Sequence, residues 1–599
     1  MKLDQLENWQ RTNKCEEISI TDVGTEQIVM GWINTRRDHG GVIFCDLRDY
    51  SGIVQIVFGQ QHDKEAFLKA DVVRSEYVLA VRGVVAKRDA ETINPKMKTG
   101  EIEIHVSELR LLNTCKQLPF QVSDEYQETS EKTRLKNRIL DLRRTAMQKN
   151  LMMRSKAAQV IRNYFYENQF FEIETPVLTK STPEGARDFL VPSRVYSGKF
   201  FALPQSPQLF KQMLMVSGYD RYFQIVKCFR DEDLRGNRQP EFTQVDIELS
   251  FTNQDQILEL VEQMMTGLFK ETIDHDISLP IPRMTYQEAM DDYGSDAPDL
   301  RFGLKLIDLS AIVADCGFKV FGGAVKDGGV VKAIRVPGGA GFSRKELDDL
   351  TDFVRIYRAK GMAYVKMREE GWQSPIAKFF KDEEIQQINE ATGAEVGDLL
   401  LFGADTEKIV NDSLGNLRKE VAQKSGLIKD DEFNFVWITD FPLFEFDEEE
   451  KRYTSSHHPF TMPNEADLEQ WESEDPSKIK SIAFDLVLNG VELGGGSIRI
   501  HRKDVQERIF KLLSIGDEEA QAKFGFFLNA LEQGAPPHGG LALGFDRIMM
   551  FLANTRSIRE VIAFPKTQQA SCLLTEAPSE VDKAQMEELG LALRKSSRS

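Results

Sequence analysis

The stretch from Cys228 to Phe251 reads CFRDEDLRGNRQPEFTQVDIELSF and decides the fold around it. It opens with apolar residues and crosses a charged run containing one glycine and one proline. An apolar pattern then resumes at Phe242, Val245, Ile247 and Leu249. This pattern predicts two antiparallel strands joined by a long polar loop. The loop could present cations to a polyanion, although an ordinary solvated hairpin has the same pattern.

Two further stretches lie on either side of this one. Residues 168–178 read NQFFEIETPVL, and residues 540–550 read GLALGFDRIMM. In this order the three stretches closely resemble motifs 1, 2 and 3 of class II aminoacyl-tRNA synthetases. The whole chain resembles the bacterial aspartyl sub-family of these enzymes. The resemblance implies an aspartate–tRNA ligase that couples L-aspartate to tRNA with ATP and Mg²⁺, through an aspartyl-adenylate.

Length and composition limit the other possibilities. A chain of 599 residues predicts about four domains. Its six cysteines are scattered without a CxxC pair, so neither a zinc site nor a disulfide framework is indicated, and a reducing cytoplasm is expected. No apolar run approaches the roughly 18 residues of a membrane span. The net charge of −19 argues against indiscriminate binding of nucleic acid. We therefore expect a soluble cytoplasmic protein with local RNA contacts, and no membrane or DNA partner.

The region from Gln27 to Leu112 repeats short β-type runs that turn residues separate. In one of them Ile102, Ile104 and Val106 alternate with polar residues, the pattern of a strand with one buried face. The repeats predict a small β-barrel of the OB type, a fold that binds oligonucleotides. The pattern alone fits a barrel without a nucleic-acid role equally well.

Residues 31–49, GWINTRRDHGGVIFCDLRD, resemble the anticodon-binding barrel of the sub-family. The resemblance implies RNA contacts at Arg37, Phe44 and Gln55. His39 stands where members specific for tRNA(Asp) tend to carry leucine and members that also aspartylate tRNA(Asn) tend to carry histidine. Glu91 is less clear, because glycine often occurs near there in the relaxed members. We predict that both tRNAs are charged, and a strictly tRNA(Asp)-specific enzyme remains the alternative.

The resemblance and the composition together predict an α+β multidomain fold. Its predicted parts are an OB-fold domain (1–112), a hinge (113–140), the first part of an antiparallel-sheet catalytic domain (141–299), a GAD-type insertion (300–428), the second catalytic part (429–565) and a C-terminal extension (566–599). Helical spacing predicts helices over Leu151–Tyr166 and Gln256–Lys270. By resemblance, the first helix and the strand near Pro176 form the interface of a homodimer.

Amino-acid activation brings two anions together, because a carboxylate attacks the α-phosphate of ATP. Cations and a divalent metal must offset that repulsion. By resemblance, the catalytic residues are Arg230 and Arg547, and the Mg²⁺ ligands are Asp485 and Glu492. The resemblance places at the nucleotide the residues Arg230, Asp231, Glu232, Gln239, Phe242, Glu492, Gly544, Phe545, Asp546 and Arg547.

By resemblance, the aspartate pocket consists of Glu184, Ser206, Gln208, Lys211, Arg230, Asp246, His458 and Arg499. Lys211 and Arg499 suit the side-chain carboxylate, and Asp246 suits the ammonium group. Asparagine could not neutralise two cations, so we expect charge to select the substrate. The adjacent His457 and His458 do not favour zinc, since neighbours in an extended segment point to opposite sides.

Two competing functions remain open. An asparaginyl- or lysyl-tRNA synthetase shares the barrel and the motifs, but lysine activation would require acids in place of Lys211 and Arg499. A catalytically inactive paralogue could bind RNA through the barrel alone. The presence of Arg230, Glu492 and Arg547 disfavours it.

Overall fold

The computed structural model describes residues 2–123, 129–182, 186–234, 236–429, 431–448 and 450–592. The chain divides into two compact units. The first contains Met1–Ser155, Leu234–Gln239 and Ala553–Val581, and the second contains Lys156–Asp233, Pro240–Leu552 and Asp582–Ser599. None of the described helices is both long and apolar enough to cross a membrane.

The first unit contains the predicted barrel. Its elements are β1 (Glu26–Asp38), β2 (Val42–Arg48), β3 (Ile53–Gly59), α1 (Lys64–Ala70), β4 (Val78–Lys87) and β5 (Ile102–Asn113). The strands close in the order β1-β2-β3-β5-β4, which confirms the OB-type barrel. The apolar residues that alternate along β5 are buried in the barrel core, as their period of two predicts.

The barrel is followed by three helices, α2 (Glu131–Lys136), α3 (Arg138–Asp141) and α4 (Thr145–Glu167). The buried Arg138 donates hydrogen bonds to the carbonyl oxygens of Arg559, Ile562 and Ala563, and it pairs with Asp141. The predicted hinge and residues 553–581 therefore share one compact unit with the barrel. Composition did not indicate this division.

The second unit is built on an eight-stranded sheet in the order β11-β17-β20-β21-β22-β10-β9-β6. Its elements before residue 300 are β6 (Phe171–Glu172), β7 (Leu190–Pro192), β8 (Phe200–Ala202), α5 (Gln208–Val216), β9 (Arg221–Phe229), β10 (Glu241–Ser250), α6 (Gln254–Ile273), β11 (Arg283–Thr285) and α7 (Tyr286–Tyr293). Neighbouring strands pair antiparallel except β6 with β9 and β11 with β17.

Strands β9 and β10 are the two strands predicted at the outset. They pair antiparallel with Cys228 opposite Phe242, and the polar loop joins them. The predicted helix after them is α6, which begins where the Asn253 side chain accepts a hydrogen bond from Gln256 N–H. The structure confirms both predictions. Each was based on the regular spacing of apolar residues within one short stretch of sequence.

Residues between 300 and 428 form a separate five-stranded sheet, in the order β12-β13-β16-β14-β15. The elements are β12 (Leu306–Asp308), α8 (Ser310–Val313), α9 (Lys319–Lys326), β13 (Val330–Val336), α10 (Arg344–Arg355), β14 (Ala363–Arg368), β15 (Gly371–Gln373), α11 (Asp382–Thr392), β16 (Leu399–Asp405) and α12 (Glu407–Lys424). Apolar side chains of the sheet and its helices form two buried clusters. We call this part of the chain the inserted segment.

The chain then returns to the large sheet. The remaining elements are β17 (Phe435–Thr439), β18 (Phe444–Asp447), β19 (Arg452–Ser455), α13 (Glu465–Trp471), β20 (Ala483–Leu488), β21 (Val491–Ile498), α14 (Lys503–Leu512), α15 (Asp517–Leu531), β22 (His538–Gly544), α16 (Phe545–Leu552) and α17 (Lys583–Glu588). Strands β20, β21, β22 and β10 lie side by side, and they carry the candidate site residues Phe242, Asp246, Asp485, Glu492 and Gly544.

Candidate functional site

Four charged side chains meet in the interior beside β10. Lys211 of α5 donates to Asp246 Oδ1 over 2.9 Å, and its Nζ lies 3.4 Å from Glu248 Oε2. Arg499, just after β21, donates from Nε and Nη2 to the two oxygens of Glu248, at 2.9 and 3.2 Å. All four are almost wholly buried. Two cations therefore face two carboxylates.

Glu248 was not predicted as a site residue. It lies two residues after Asp246 on β10, so both carboxylates project from one face of the strand, between the buried apolar residues Val245, Ile247 and Leu249. Two acids at this spacing in an otherwise buried strand were the available signal. Burial opposes ionisation of Glu248, but Arg499 and Lys211 hold the pKa of this carboxyl below its usual value.

The presence of Glu248 corrects one expectation. Lys211 and Arg499 are paired without a substrate, so the argument that asparagine would leave two unpaired cations is wrong. Burial raises the pKa of Asp246, although Lys211 acts in the opposite direction. Any preference for a carboxylate must depend on the direction of the hydrogen bonds as well as on charge.

Three hydrogen-bond acceptors hold the guanidinium of Arg499 in place. Besides Glu248, its Nη1 donates to Ser497 Oγ at 2.7 Å and to His458 Nε2 at 2.8 Å. Burial and the nearby Arg499 charge keep the pKa of His458 well below its usual value. The ring is therefore neutral and accepts the bond. This explains the place of His458 in the predicted pocket.

Several buried polar atoms in this region have no hydrogen-bond partner within the described ranges, among them Asp246 Oδ2 and Gln208 Nε2. A buried acceptor and donor left unmatched are costly unless a ligand completes them. Ser206 precedes α5, and its Oγ lies 3.4 Å from the backbone nitrogen of Gln208. Glu184, also assigned to the pocket, lies outside the described residues.

Arg230 follows β9 directly. Its guanidinium lies over the ring of Phe242 on β10, 5.1 Å from the ring centroid. Its backbone N–H donates to Pro240 O at 2.9 Å. Asp231 is exposed and forms a backbone bridge with Arg187, and Glu232 is half-buried. The β9–β10 hairpin thus places a cation and an aromatic face together.

Arg547 of α16 and Glu492 of β21 are also brought together. Arg547 Nη1 donates to the backbone oxygen of Glu492 at 2.7 Å and lies 3.7 Å from its carboxylate. Gly544 lies close to this arginine, because a Cβ there would be 3.4 Å from Arg547 Cδ. The side chain of Arg547 is therefore held by neighbouring backbone, and that of Arg230 lies on an aromatic ring.

Three residues assigned to the nucleotide, Gln239, Phe545 and Asp546, also have contacts within the protein. Phe545 and Asp546 are buried, and Asp546 accepts a hydrogen bond from Thr243 N–H at 2.8 Å. In the first unit, Gln239 exchanges two hydrogen bonds with the backbone of Lys566. These contacts leave Phe545 and Asp546 little surface for a ligand.

Asp485 and Glu492 lie on the adjacent strands β20 and β21. Burial raises the pKa of Asp485 to about 6, and the carboxylates of Glu492 and Asp296 act in the same direction. His457 lies 3.3 Å from Asp485 Oδ1. This concentration of hard oxygen donors fits a Mg²⁺ ion. Within the described ranges no three His, Cys, Asp or Glu side chains form a ligand cluster, so phosphate oxygens would have to complete the coordination.

The glycine run of β21 forms a surface without side chains. A Cβ on Gly494 would lie 2.1 Å from Ala542 O, one on Gly495 would lie 2.2 Å from Asp485 Oδ1, and one on Gly496 would lie 2.3 Å from Gly540 O. No other residue fits at 494 or 496, where backbone oxygens are in the way, and a side chain at 495 would have to displace the Asp485 carboxylate. We call residues 494–496 the glycine floor.

The predicted RNA-contacting residues of the barrel form one connected set. Arg37 Nη2 donates to Gln55 Oε1 at 3.0 Å and to Asp46 Oδ1 at 3.1 Å. Gln55 Nε2 donates to Glu103 Oε2 at 2.8 Å. Glu103 was not among the predicted residues. The amide of Gln55 is thus held between a cation and a carboxylate.

His39 and Phe44 lie at the adjoining end of the same hairpin. The exposed ring of His39 meets the half-buried ring of Phe44 edge-on, with the centroids 5.6 Å apart. Glu91 is exposed in a short turn, Ala90–Thr92, between β4 and β5. An aromatic face on β2 and a polar ring in the turn before it are therefore presented together.

The model of the family described as "tRNA synthetases class II (D, K and N)" matches residues 130–568. The chain belongs to this family. A second model, described as "OB-fold nucleic acid binding domain", matches residues 28–112 of the synthetase.

Relatives of this class II synthetase cover nearly its whole length. Proteins named "Aspartate--tRNA(Asp/Asn) ligase" from Syntrophotalea carbinolica and Geotalea uraniireducens are each 57% identical to it, over 98% of the chain and 99% of the relative. An asparaginyl-tRNA synthetase structure from Pyrococcus horikoshii, titled as a complex with asparaginyl-adenylate, covers 93% of the chain and is itself covered to 98%. Its TM-score is 0.59 at 16% identity, so this likeness concerns the fold alone.

Proposed function

We propose that this synthetase ligates L-aspartate to tRNA(Asp) and to tRNA(Asn), through an aspartyl-adenylate made from ATP. The buried cluster of Lys211, Asp246, Glu248 and Arg499 is the observation that carries the proposal. The names of the relatives with 57% identity support it.

Aspartate fits the cluster through the direction of its hydrogen bonds. Lys211 and Arg499 carry only donors, and a carboxylate carries only acceptors. The amide of asparagine would bring two N–H groups toward those donors, leaving polar atoms buried and unmatched. The unpaired Asp246 Oδ2 is an acceptor for the substrate ammonium, and its hydrogen bond would favour the ionised carboxyl.

The adenylation step requires that two anions approach in line. Arg230, held over Phe242, supplies positive charge for the α-phosphate and the attacking carboxylate, and Arg547 supplies it for the outer phosphates. Asp485 and Glu492 would hold Mg²⁺, which, when bound, offsets phosphate charge. No side-chain nucleophile is needed, because the substrate carboxylate itself attacks.

For tRNA recognition, Phe44 offers a ring for stacking an unpaired base, and Arg37 with Gln55 offers hydrogen bonds to a base edge. His39 presents a ring nitrogen that can donate or accept. The anticodons of tRNA(Asp) and tRNA(Asn) differ in one base, C against U. A group that pairs with either base supports charging of both tRNAs.

We also propose a cytoplasmic homodimer. None of the six cysteines, all of which lie in the described residues, forms a disulfide, which suits a reducing compartment. Phe171, Val177, Leu178 and Tyr219 expose large apolar side chains around β6 and the segment after it, the region predicted as the dimer interface. A second copy of the chain would cover them.

Two assays test the proposal. Pyrophosphate exchange should depend on aspartate and stay near background with each of the other nineteen amino acids. Charging assays should show aspartylation of both tRNA(Asp) and tRNA(Asn) transcripts. Exchange driven by asparagine or lysine would refute the assignment of aspartate as the substrate. If tRNA(Asn) is not aspartylated, the enzyme is strictly specific for tRNA(Asp).

A further inference from the structure

The turn between β20 and β21 lies close to the candidate metal ligands. Asn489 and Gly490 form this two-residue turn, with φ angles of 50° and 79°. Both positive values are typical of a type I′ hairpin turn. Asp485 lies four residues before the turn and Glu492 two residues after it. A shift of the turn therefore moves both strands that carry these carboxylates.

Both connections of the inserted segment contact this turn. On the returning side, Asn489 Nδ2 donates to Glu432 O at 2.6 Å, and its Oδ1 accepts from Asn434 N–H at 2.9 Å. On the outgoing side, Asp299 packs on Gly490, since a Cβ on that glycine would lie 3.0 Å from Asp299 Cβ. The turn is held at both points where the chain leaves and rejoins the large sheet.

The last helix of the inserted segment adds a charge at the same place. Lys419 of α12 lies over Gly490, with its Nζ 3.3 Å from where a Cβ would be. Burial lowers the pKa of Lys419, and the carboxylates of Asp299 and Asp296 act in the opposite direction. Lys419 and Asp299 therefore both lie against Gly490, one from the inserted segment and one from its outgoing connection.

The neighbouring residue anchors α12 firmly. Arg418 is fully buried between the rings of Tyr293 and Phe302, 4.8 and 4.6 Å from their centroids. It donates to the backbone oxygens of Asp299 and Gly303 at 3.1 and 2.8 Å. Arg418 therefore holds in place the part of α12 from which Lys419 reaches the turn.

We propose that Lys419 is a positioning residue, through which the inserted segment holds the turn and so the Mg²⁺·ATP ligands Asp485 and Glu492. This inference rests on the proposed function. It gives the inserted segment a role in nucleotide binding that its own sheet, remote in sequence from the motifs, does not suggest.

The test compares Lys419→Met with Lys424→Met. Lys424 lies on the same helix and pairs only with Glu420 at the surface among the ion pairs described for it. Mn²⁺ binding is measured by electron paramagnetic resonance with α,β-methylene-ATP present. We expect Lys419→Met to weaken Mn²⁺ binding and raise KM for ATP by about fivefold, with KM for aspartate within about twofold. Lys419→Arg should recover most of the loss, and Lys424→Met should match the parent.

Each outcome decides. If Lys419→Met binds Mn²⁺ like Lys424→Met, the inference is overturned. If Lys419→Met does not fold, Gly490→Ala strains the same turn without changing charge, and normal Mn²⁺ binding there also overturns it. Asp485→Asn and Glu492→Gln separate the two proposals. If Asp485→Asn and Glu492→Gln bind Mn²⁺ like the parent, the proposed metal site is wrong. If these two variants lose Mn²⁺ binding and Lys419→Met does not, only the proposed role of Lys419 is wrong.

Discussion

Arg499 shows how one side chain joins distant parts of the chain. It lies 251 residues from Glu248, yet it makes two hydrogen bonds to that carboxylate and further ones to Ser497 and His458. These contacts fix its plane before a substrate arrives. A fixed donor set binds a carboxylate at little further cost in side-chain entropy.

Replacement of Arg499 by glutamine should abolish aspartate activation. Loss of a charged hydrogen bond to the substrate carboxylate in a buried site costs about 3 kcal/mol, which is roughly a hundredfold in kcat/KM. Aspartate-dependent pyrophosphate exchange measures the loss, and circular dichroism checks the fold. Arg502→Gln is the control, because that arginine is exposed and pairs with Asp504 and Glu465. Exchange within a few-fold of the parent would show that the pocket assignment is wrong.

The sequence motifs predicted many residues of this site, but they did not predict which of its charged side chains pair with one another. Lys211, Asp246, His458 and Arg499 were all predicted, and the structure brings them together. Glu248 was missed, because its partner is remote in sequence and local pattern carries no information on such pairs. The consequence was a wrong expectation of two unpaired cations.

Among the elements, β5 and the loop after β3 hold a pair of stacked histidines. His62 and His105 lie with ring centroids 4.2 Å apart, and His105 Nε2 is 2.9 Å from Glu103 Oε1. Burial lowers the pKa of His62, and His105 lowers it further. Glu103 also holds Gln55, so the pair adjoins the proposed RNA-binding set.

The His62 ring should titrate below its usual value of 6.5. Because the folded-state pKa is lowered, the unfolded chain binds the proton more tightly, and the barrel should lose stability as the pH falls below 6.5. Proton NMR of the ring measures the pKa, with His62→Gln to assign the signal. His105→Gln should raise it toward 6.5, and an unchanged value would contradict the role of the stack.

The turn between β1 and β2 carries the prediction on tRNA choice. His39→Leu should raise the preference for tRNA(Asp) several-fold by slowing tRNA(Asn) charging, because leucine offers neither a donor nor an acceptor to the third anticodon base. Charging rates with both transcripts measure this. His39→Gln keeps a polar group and should retain more tRNA(Asn) charging. Equal slowing of both tRNAs by leucine would argue against base selection.

At the scale of elements the sequence was informative. The strands of the barrel and of the β9–β10 hairpin were predicted from apolar residues that recur every two residues, and α6 from apolar residues that recur every 3.6. The structure has these elements where they were predicted. The strand order of the inserted segment could not be predicted. Its β14 and β15 lie beyond β16, which comes later in the chain, and no local pattern encodes such an order.

For the whole molecule, the boundaries were the least predictable feature. Residues 553–581 belong with the barrel unit through Arg138, whose hydrogen-bond partners lie more than 420 residues away. Composition marked residues 113–140 as a hinge because they are polar. Only the long-range contacts show that part of this segment is packed.

The exposed apolar residues around β6 predict the oligomeric state. Phe171→Asp combined with Leu178→Asp places charges where a second copy should pack, so the dimer should dissociate to half its mass in sedimentation equilibrium. Ile356→Asp is the control, since that side chain is 73% exposed on the inserted segment. A parent that sediments as a monomer would contradict the homodimer, as would a doubly substituted variant that stays dimeric.

The glycine floor also bears on attempts to redesign the enzyme. Any amino-acid exchange at Gly494, Gly495 or Gly496 adds at least one carbon atom where backbone or carboxylate oxygens already lie within 2.4 Å. A mutant library that varies Gly494 and Gly496, which face backbone oxygens, should return only glycine at these two positions among its active members. New substrate preferences would therefore have to come from other residues of the site, such as those of α5 and the segment around His458.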